Sequence, residues 1–379
     1  MLSGTIRPWA LLTAAWLTAL ALGNAANGAA QIATASVFGT IRDETGASLP
    51  GVTLTARNVA TGAARATTTD TEGRYRLSAL DPGEYELRAE LANFKTAIRS
   101  IVLTVGGSAD ADIRMSLGPL AEQVTVASDA PLIEPAKAEL SRVVTTKEIE
   151  SLPISGRNFV DFVKLSSGVA SGRENIGGGA FKEPDVGVGS AAAPRLSFAG
   201  QPELNTMIQV DGADNVQTFT GLPRATPSQE AAKEFRVLNS TYLAEYGRAL
   251  GGFVNIVTKS GTNRRDGSLY YFGMDDGLNA RSVLNTPDAD VLHQHQFGLT
   301  FGAPIVADRT FFFGNYEGQV RRQSNRFSQV VLDNLAALND VRAQFNLKPE
   351  TTNQLQKNHY NSFMLKVDHH PTPNHTVAV

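Results

Sequence analysis

The sequence predicts a mainly β chain in three parts: a small N-terminal antiparallel sandwich, a mixed α/β unit, and the first strands of a β-barrel. Three observations carry this. Apolar and polar residues alternate with period two in many short runs, the pattern of strands with one face buried. Of 379 residues 34 are glycine and 19% are charged, against about 25% charged in ordinary soluble domains, which suits strands and turns better than a helical enzyme. After an apolar run near the N-terminus, no segment is long and apolar enough for a membrane helix. Any passage through lipid must then be a closed barrel, because lipid leaves unpaired backbone groups unsatisfied.

Composition removes several function classes. The net charge of −3 gives no basic field for nucleic acid. With no cysteine, thiol catalysis, thiolate metal sites and disulfides are excluded. Met1–Arg7 carries one positive charge, Trp9–Leu22 is a largely apolar run, and Asn24–Ala30 is small and polar. This is the layout of a secretory signal peptide over residues 1–30, cleaved after Ala30 or after Ala35.

Residues 36–117 form the expected sandwich. In Glu84–Leu91, Tyr85, Leu87, Ala89 and Leu91 share one face while Glu84, Glu86, Arg88 and Glu90 share the other. Val52, Leu54 and Ala56 repeat the pattern, as do Tyr75 with Leu77, and Ile113 with Met115 and Leu117. Turn signals at Asp43–Gly46, Pro50-Gly51, Asp70–Gly73 and Asp81-Pro82-Gly83 separate about seven short strands, the spacing of an immunoglobulin-like or transthyretin-like sandwich. Asp70 and Glu72 read as turn caps rather than a calcium loop. No histidine precedes His293, so this region offers no histidine-ligated zinc site.

Residues 118–250 read as mixed α/β. Glu122, Gln123, Val124, Thr125, Val126 and Ala127 alternate in an extended segment between Pro119 and Pro131. Ser141–Thr145 reads as a strand, and Thr145 with Glu148 has capping-box spacing for a short helix. Phe159, Phe162, Val163 and Leu165 have helical spacing, and Gly168–Ala193 reads as a long loop. Met207–Val210 is a strand ending in a turn at Asp211-Gly212. Thr226-Pro227-Ser228-Gln229 predicts a helix start with a threonine cap, and Phe235–Leu238 returns as a strand.

Residues 251–379 read as barrel strands at 252–259, 267–275, 294–302, 309–318 and 359–368, with another beginning at 374–379. Phe297, Leu299 and Phe301 alternate with Gly298 and Thr300, and Phe363, Leu365 and Val367 with Met364, Lys366 and Asp368, as a lipid face and a lumen face would. Tyr270, Tyr271, Phe272, Phe311, Phe312, Phe313 and Tyr316 are candidates for an interfacial aromatic belt. Gly302–Ile305 and Asp368–Asn374 read as short turns, and 319–358 as a long polar loop.

Two resemblances follow. Val37–Ile41, Leu49–Val52, Asp70–Tyr75 and Asp81–Tyr85 resemble the carboxypeptidase regulatory-like domain, which is not itself a peptidase. Leu152–Phe159, with Gly156, Arg157 and Asn158, then Ile208–Gly212, with Asp211 and Gly212, then Tyr246, Gly247 and Arg248 leading into Gly251, Gly252 and on to Asn263, resemble the plug of a TonB-dependent outer-membrane receptor. That resemblance implies a surface receptor-transporter in a Gram-negative outer membrane, with outer-membrane lipid and an unknown extracellular ligand as partners. It also implies a TonB box, a segment gripped by a TonB-type energy-coupling protein of the inner membrane through strand addition. Glu122–Ala127 is the candidate box. Cargo in the family ranges over iron chelates, cobalamin, nickel complexes and sugars.

The family's barrel has 22 strands, needing about 220 residues in strands alone, whereas only 129 residues follow Leu250. The sequence is therefore expected to be the N-terminal part of such a receptor. The alternative is a soluble periplasmic or surface binding module made of sandwich and plug. An enzyme is the weakest reading. His293 and His295 share a strand face, and Asp275-Asp276 pairs two carboxylates, but a lumen or loop position and a hairpin turn account for them. No serine elbow, H-E-x-x-H or phosphate loop occurs. Neither catalytic residue, metal nor cofactor is expected.

Overall fold

The computed structural model describes residues 34–118, 123–126, 141–151, 159–171, 196–202, 205–216, 224, 227–239, 246–278, 292–324, 329–351, 355–372 and 375–379. The signal-peptide expectation and Gly156-Arg157-Asn158 lie outside them, as do Glu122 and Ala127 of the candidate box.

Alternating apolar residues build the sandwich first. One sheet runs Arg74–Leu80, Ala35–Asp43, Ser108–Asp110, with Ile113–Met115 also on Ala35–Asp43. The other runs Ala64–Thr68, Thr53–Asn58, Gly83–Glu90, Thr96–Leu103, Gln123–Val126. Between them lie Val37, Ile41, Leu54, Leu77, Leu87, Ile101 and Met115, all buried. Asp70 is the turn cap anticipated: its Oδ1 accepts from the N–H groups of Glu72 (2.9 Å) and Arg74 (2.8 Å).

A second, five-stranded sheet orders Ser141–Val144, Ala232–Asn239, Gly252–Thr258, Thr206–Val210 and Ala213–Asp214. Gly252–Thr258, expected as the first barrel strand, is here the central strand. It runs antiparallel to Ala232–Asn239 and parallel to Thr206–Val210. All seven of its residues are buried, which a wall strand with one face to solvent or lipid would not show. On one face Ile208, Phe235, Val237, Val254 and Ile256 pack under Ile149, Phe162 and Val163 of two short helical segments. The capping box forms there, with the Thr145 N–H donating to Glu148 Oε2 at 2.9 Å. The helix expected after Thr226, which lies outside the described residues, is a single 3-10 turn, Gln229–Ala231, capped by Ser228. The chain turns extended at once to enter the strand from Ala232, which leaves no room for a longer helix.

The remaining strands make an antiparallel meander: Asp266–Asp275, Leu292–Val306, Thr310–Ser324, Leu355–Thr372 and His375–Ala378. We call this sheet the wall. Its strands outrun the expected ones. Gly302–Ile305 is strand, with a bulge between Pro304 and Val306, and the turn falls at 307–309. The polar stretch 319–358 is not all loop: strand continues to Ser324 and resumes at Leu355, with helices Gln329–Asp333 and Leu335–Gln344 between.

The two wall faces differ in chemistry. Leu269 is 86% exposed and Phe363 73%, with Phe297, Leu299, Phe301 and Leu365 exposed on the same side. Opposite them Gln294, Gln296, Thr300, Asn315, Glu317 and Gln319 are buried. Period two also divides the aromatic residues. Phe311 and Phe313 are buried on the inner face, and the Tyr270 hydroxyl donates to inner Glu317. They do not belong to a belt, whereas Tyr271 stands on the exposed face.

Candidate functional site

The sandwich, the central sheet and the wall meet at one junction, and charged residues of Ala232–Asn239 make most of it. That strand reads as core, yet it carries Lys233, Glu234 and Arg236. The Lys233 ammonium donates to the Pro82 carbonyl at 2.6 Å. Glu234 Oε1 accepts from the Val105 N–H at 2.5 Å. Arg236 donates from Nη1 to the carbonyls of Gly106 (2.6 Å) and Val105 (3.3 Å), and from Nη2 to Ser141 Oγ. Two turns of the sandwich are thus held by three charged side chains of the sheet. Nearby, the Asn263 N–H donates to the Ala60 carbonyl (3.0 Å), and the Asn263 side-chain amide donates to Asp308 Oδ1 (2.7 Å) and accepts from the Asp308 N–H (2.9 Å) beside the wall.

Burial governs the titration here. It pushes the Glu234 carboxyl above its ordinary 4.5, against the pull of Lys233, the Val105 N–H and Arg236. It lowers the Lys233 ammonium, which Glu234 and Asp81 partly oppose. A raised folded-state value means that Glu234 contributes its stability fully below the unfolded value and loses it as pH rises through the folded one. Glu234→Gln keeps an acceptor for the Val105 N–H and removes the buried charge. Its unfolding midpoint should therefore fall less than that of wild type as pH is raised from 4.5 toward neutrality. Parallel falls would show that Glu234 is not the titrating group.

A second contact joins sheet to wall. Asp211 has φ of +49°, beside Gly212 at +83°, so its carboxylate turns back over Gly252–Thr258. It accepts from the Thr258 N–H (2.9 Å) and hydroxyl, and the Lys366 ammonium of the wall lies 3.3 Å from it. Lys366 also reaches the Thr258 hydroxyl at 3.2 Å. Ser228 donates to Asn315 Oδ1 of the wall's inner face at 2.8 Å.

The plug-like residues gather around this sheet. Tyr246 stands edge-on to Phe253, with ring centroids 5.0 Å apart. Arg248 pairs with Asp214 at 2.6 Å. A Cβ on Gly252 would lie 2.2 Å from the Phe198 ring, and one on Gly251 3.2 Å from Gln201 Cβ, while one on Gly247 would meet nothing within 4 Å. Gln123–Val126 of the candidate box is not a free linker: it pairs in parallel with Thr96–Arg99.

Among the described residues, Asp275, Asp276 and His293 bring ligand atoms within 4.8 Å of one another. They sit at a strand end on the wall's exposed side, and Asp275 accepts from Gly277 N–H and pairs with His293 Nδ1 at 2.7 Å. His295 stacks on Tyr271 instead. Neither histidine faces the inner side.

Two family models match the chain: the outer membrane beta barrel domain over residues 257–379 and the carboxypeptidase regulatory-like domain over 36–116. The TonB-dependent transporter Oar of Myxococcus xanthus is 24% identical over 264 residues, covering 65% of this chain and 23% of that protein. The chain thus carries an outer membrane beta barrel domain and a carboxypeptidase regulatory-like domain, and it is similar to a TonB-dependent transporter. Its place is the outer membrane. The chain spans about a quarter of the length of this curated relative. Among solved structures, the siderophore receptor PirA from Acinetobacter baumannii is 19% identical with a TM-score of 0.41, over 63% of this chain and 30% of that chain. The outer membrane transporter YddB from Escherichia coli is 12% identical with a TM-score of 0.41, over 62% and 31%. Likeness at this level decides nothing about cargo.

Proposed function

We propose that this receptor takes part in TonB-energised uptake of a nutrient bound at the cell surface. One observation carries the reading: the wall turns an apolar face outward and a polar face inward, and the central sheet is hydrogen-bonded to the inward face through Ser228–Asn315 and Lys366–Asp211. An apolar outer face suits lipid, and a polar inner face suits a plugged lumen. In this reading residues 36–117 are a periplasmic sandwich, the sheet from Ser141 to Thr258 is the core of the plug, and residues 1–30 are the export signal. No residue is assigned to catalysis. Partners would be outer-membrane lipid, a surface ligand and a TonB-type coupling protein.

Glu122–Ala127 is proposed as the TonB box. Strand addition works through backbone N–H and C=O groups, and proline removes a donor and fixes φ. Val124→Pro in the receptor in its host should abolish energised uptake while ligand binding at the cell surface persists. Uptake at wild-type rate would remove the assignment. Recovery of the expressed chain as a soluble periplasmic protein would favour a binding module instead.

A further inference from the structure

The segment proposed as the TonB box is already a strand. Gln123–Val126 lies parallel to the sandwich strand Thr96–Leu103, with Thr96 opposite Gln123, Ala97 opposite Val124, Ile98 opposite Thr125 and Arg99 opposite Val126. It closes an edge of the sheet that would otherwise present unpaired backbone groups, a standing template for strand addition. The pairing is short, four residues, and parallel, the slightly less stable of the two arrangements. It is a contact that another strand could replace.

The sandwich itself is not free to move with a pulled segment. It is bonded to the wall region through Ala60 and Asn263, and to the central sheet through Pro82, Val105 and Gly106. Tension applied to Gln123–Val126 while it remains on Thr96–Arg99 would pass into the sandwich and be shared between its bonds to the wall and to the central sheet. A segment detached from the sandwich passes its whole tension along the chain toward Ser141–Val144.

We propose that the Thr96–Arg99 edge of the sandwich stores Gln123–Val126 as a removable strand, and that an extended strand of the energy-coupling protein takes it by exchange. This rests on the reading of Glu122–Ala127 as the TonB box. Storage lowers the partner's apparent affinity by the fraction of molecules in which the segment is free. The sandwich thereby sets when the receptor can be energised.

The receptor has no cysteine, so a disulfide can be placed cleanly. Ile98→Cys with Thr125→Cys, or Thr96→Cys with Gln123→Cys, joins register partners across the two strands. The probe is the purified periplasmic domain of the host's TonB-type protein, titrated against the detergent-solubilised receptor. The oxidised receptor should bind it at least about ten-fold more weakly than the same receptor after reduction. Equal binding by both forms would show that the partner adds to the far edge, overturning storage while the TonB-box reading stands. Binding by neither form, nor by the unsubstituted receptor, would remove the TonB-box reading and storage with it. Hydrogen exchange on the unsubstituted receptor gives an independent measurement. On adding the probe, those amides of Thr96–Arg99 that point toward Gln123–Val126 rather than toward Gly83–Glu90 should lose protection, and their retained protection would overturn the proposal.

Discussion

Arg236→Ala should lower the protein's stability by about 3–5 kcal/mol, the range for breaking one partner of a buried charged contact. Arg236 is 1% exposed and is among the largest fully buried side chains of the described residues. Its guanidinium offers five donors in a fixed plane, and three hydrogen bonds from its two Nη atoms reach two carbonyls of the Val105-Gly106 turn and Ser141 Oγ. Alanine would leave those carbonyls buried without their donor, and each unsatisfied buried group costs about 1–3 kcal/mol. The truncation also removes a cation that pulls Glu234 downward, so the neighbouring carboxylate becomes harder to keep charged. Arg236→Lys keeps the charge without the planar fork and should cost less than alanine. Calorimetric unfolding of the detergent-solubilised protein checks both. A loss under about 1 kcal/mol, ordinary for a surface substitution, would show that this side chain does not hold sandwich and sheet together.

The contrast between Arg236 and the residues read correctly from the sequence is a matter of which signal is local. Period-two alternation depends only on one strand and one face, so the sandwich strands and the wall's two faces were legible. The capping box at Thr145 and Glu148 was legible for the same reason. Phe235-Arg236-Val237-Leu238 showed its strand but not its partners, because Val105 and Gly106 lie about 130 residues away. The signal that could have found the junction was Lys233, Glu234 and Arg236 set into a run otherwise fit for a core. Charges there imply buried partners.

Gly252–Thr258 shows the opposite failure. Phe253, Asn255 and Val257 look like one face of a half-buried strand, but alternation cannot say whether the second face is covered as well. Here it is: Phe253 packs with Met207, Leu238 and Tyr246, while Val254 and Ile256 pack on the far side with Phe235 and Phe198. A strand between two neighbours, one parallel, is buried on both faces, and no periodicity within thirteen residues of sequence records that. Aromatic runs misled similarly. In Phe311-Phe312-Phe313 consecutive side chains must point to opposite faces, so the run cannot form a belt on one side.

The glycines of the Tyr246–Gly252 segment lead to the second large effect. Gly252→Ala should destabilise by about 1–3 kcal/mol, the usual range for overpacking a filled core, and Gly252→Val by more. The new Cβ would sit 2.2 Å from two atoms of the Phe198 ring and 2.5 Å from a third. The ring cannot retreat, because Phe198 is fully buried in the cluster with Leu196, Ile208 and Val254. Nor can Gly252 retreat, since its strand pairs on both sides, with Thr206 and with Asn239. The three glycines should therefore rank by space: Gly252 most sensitive, Gly251 next with a Cβ contact of 3.2 Å, and Gly247 tolerant because nothing lies within 4 Å. Shortening the obstacle tests the cause directly. Phe198→Leu combined with Gly252→Ala should be less destabilising than the sum of the two single changes, because the second methyl carbon then occupies space the ring has left. Strict additivity would place the clash elsewhere, and a Gly252→Ala as harmless as Gly247→Ala would mean that Phe198 does not pack against this strand.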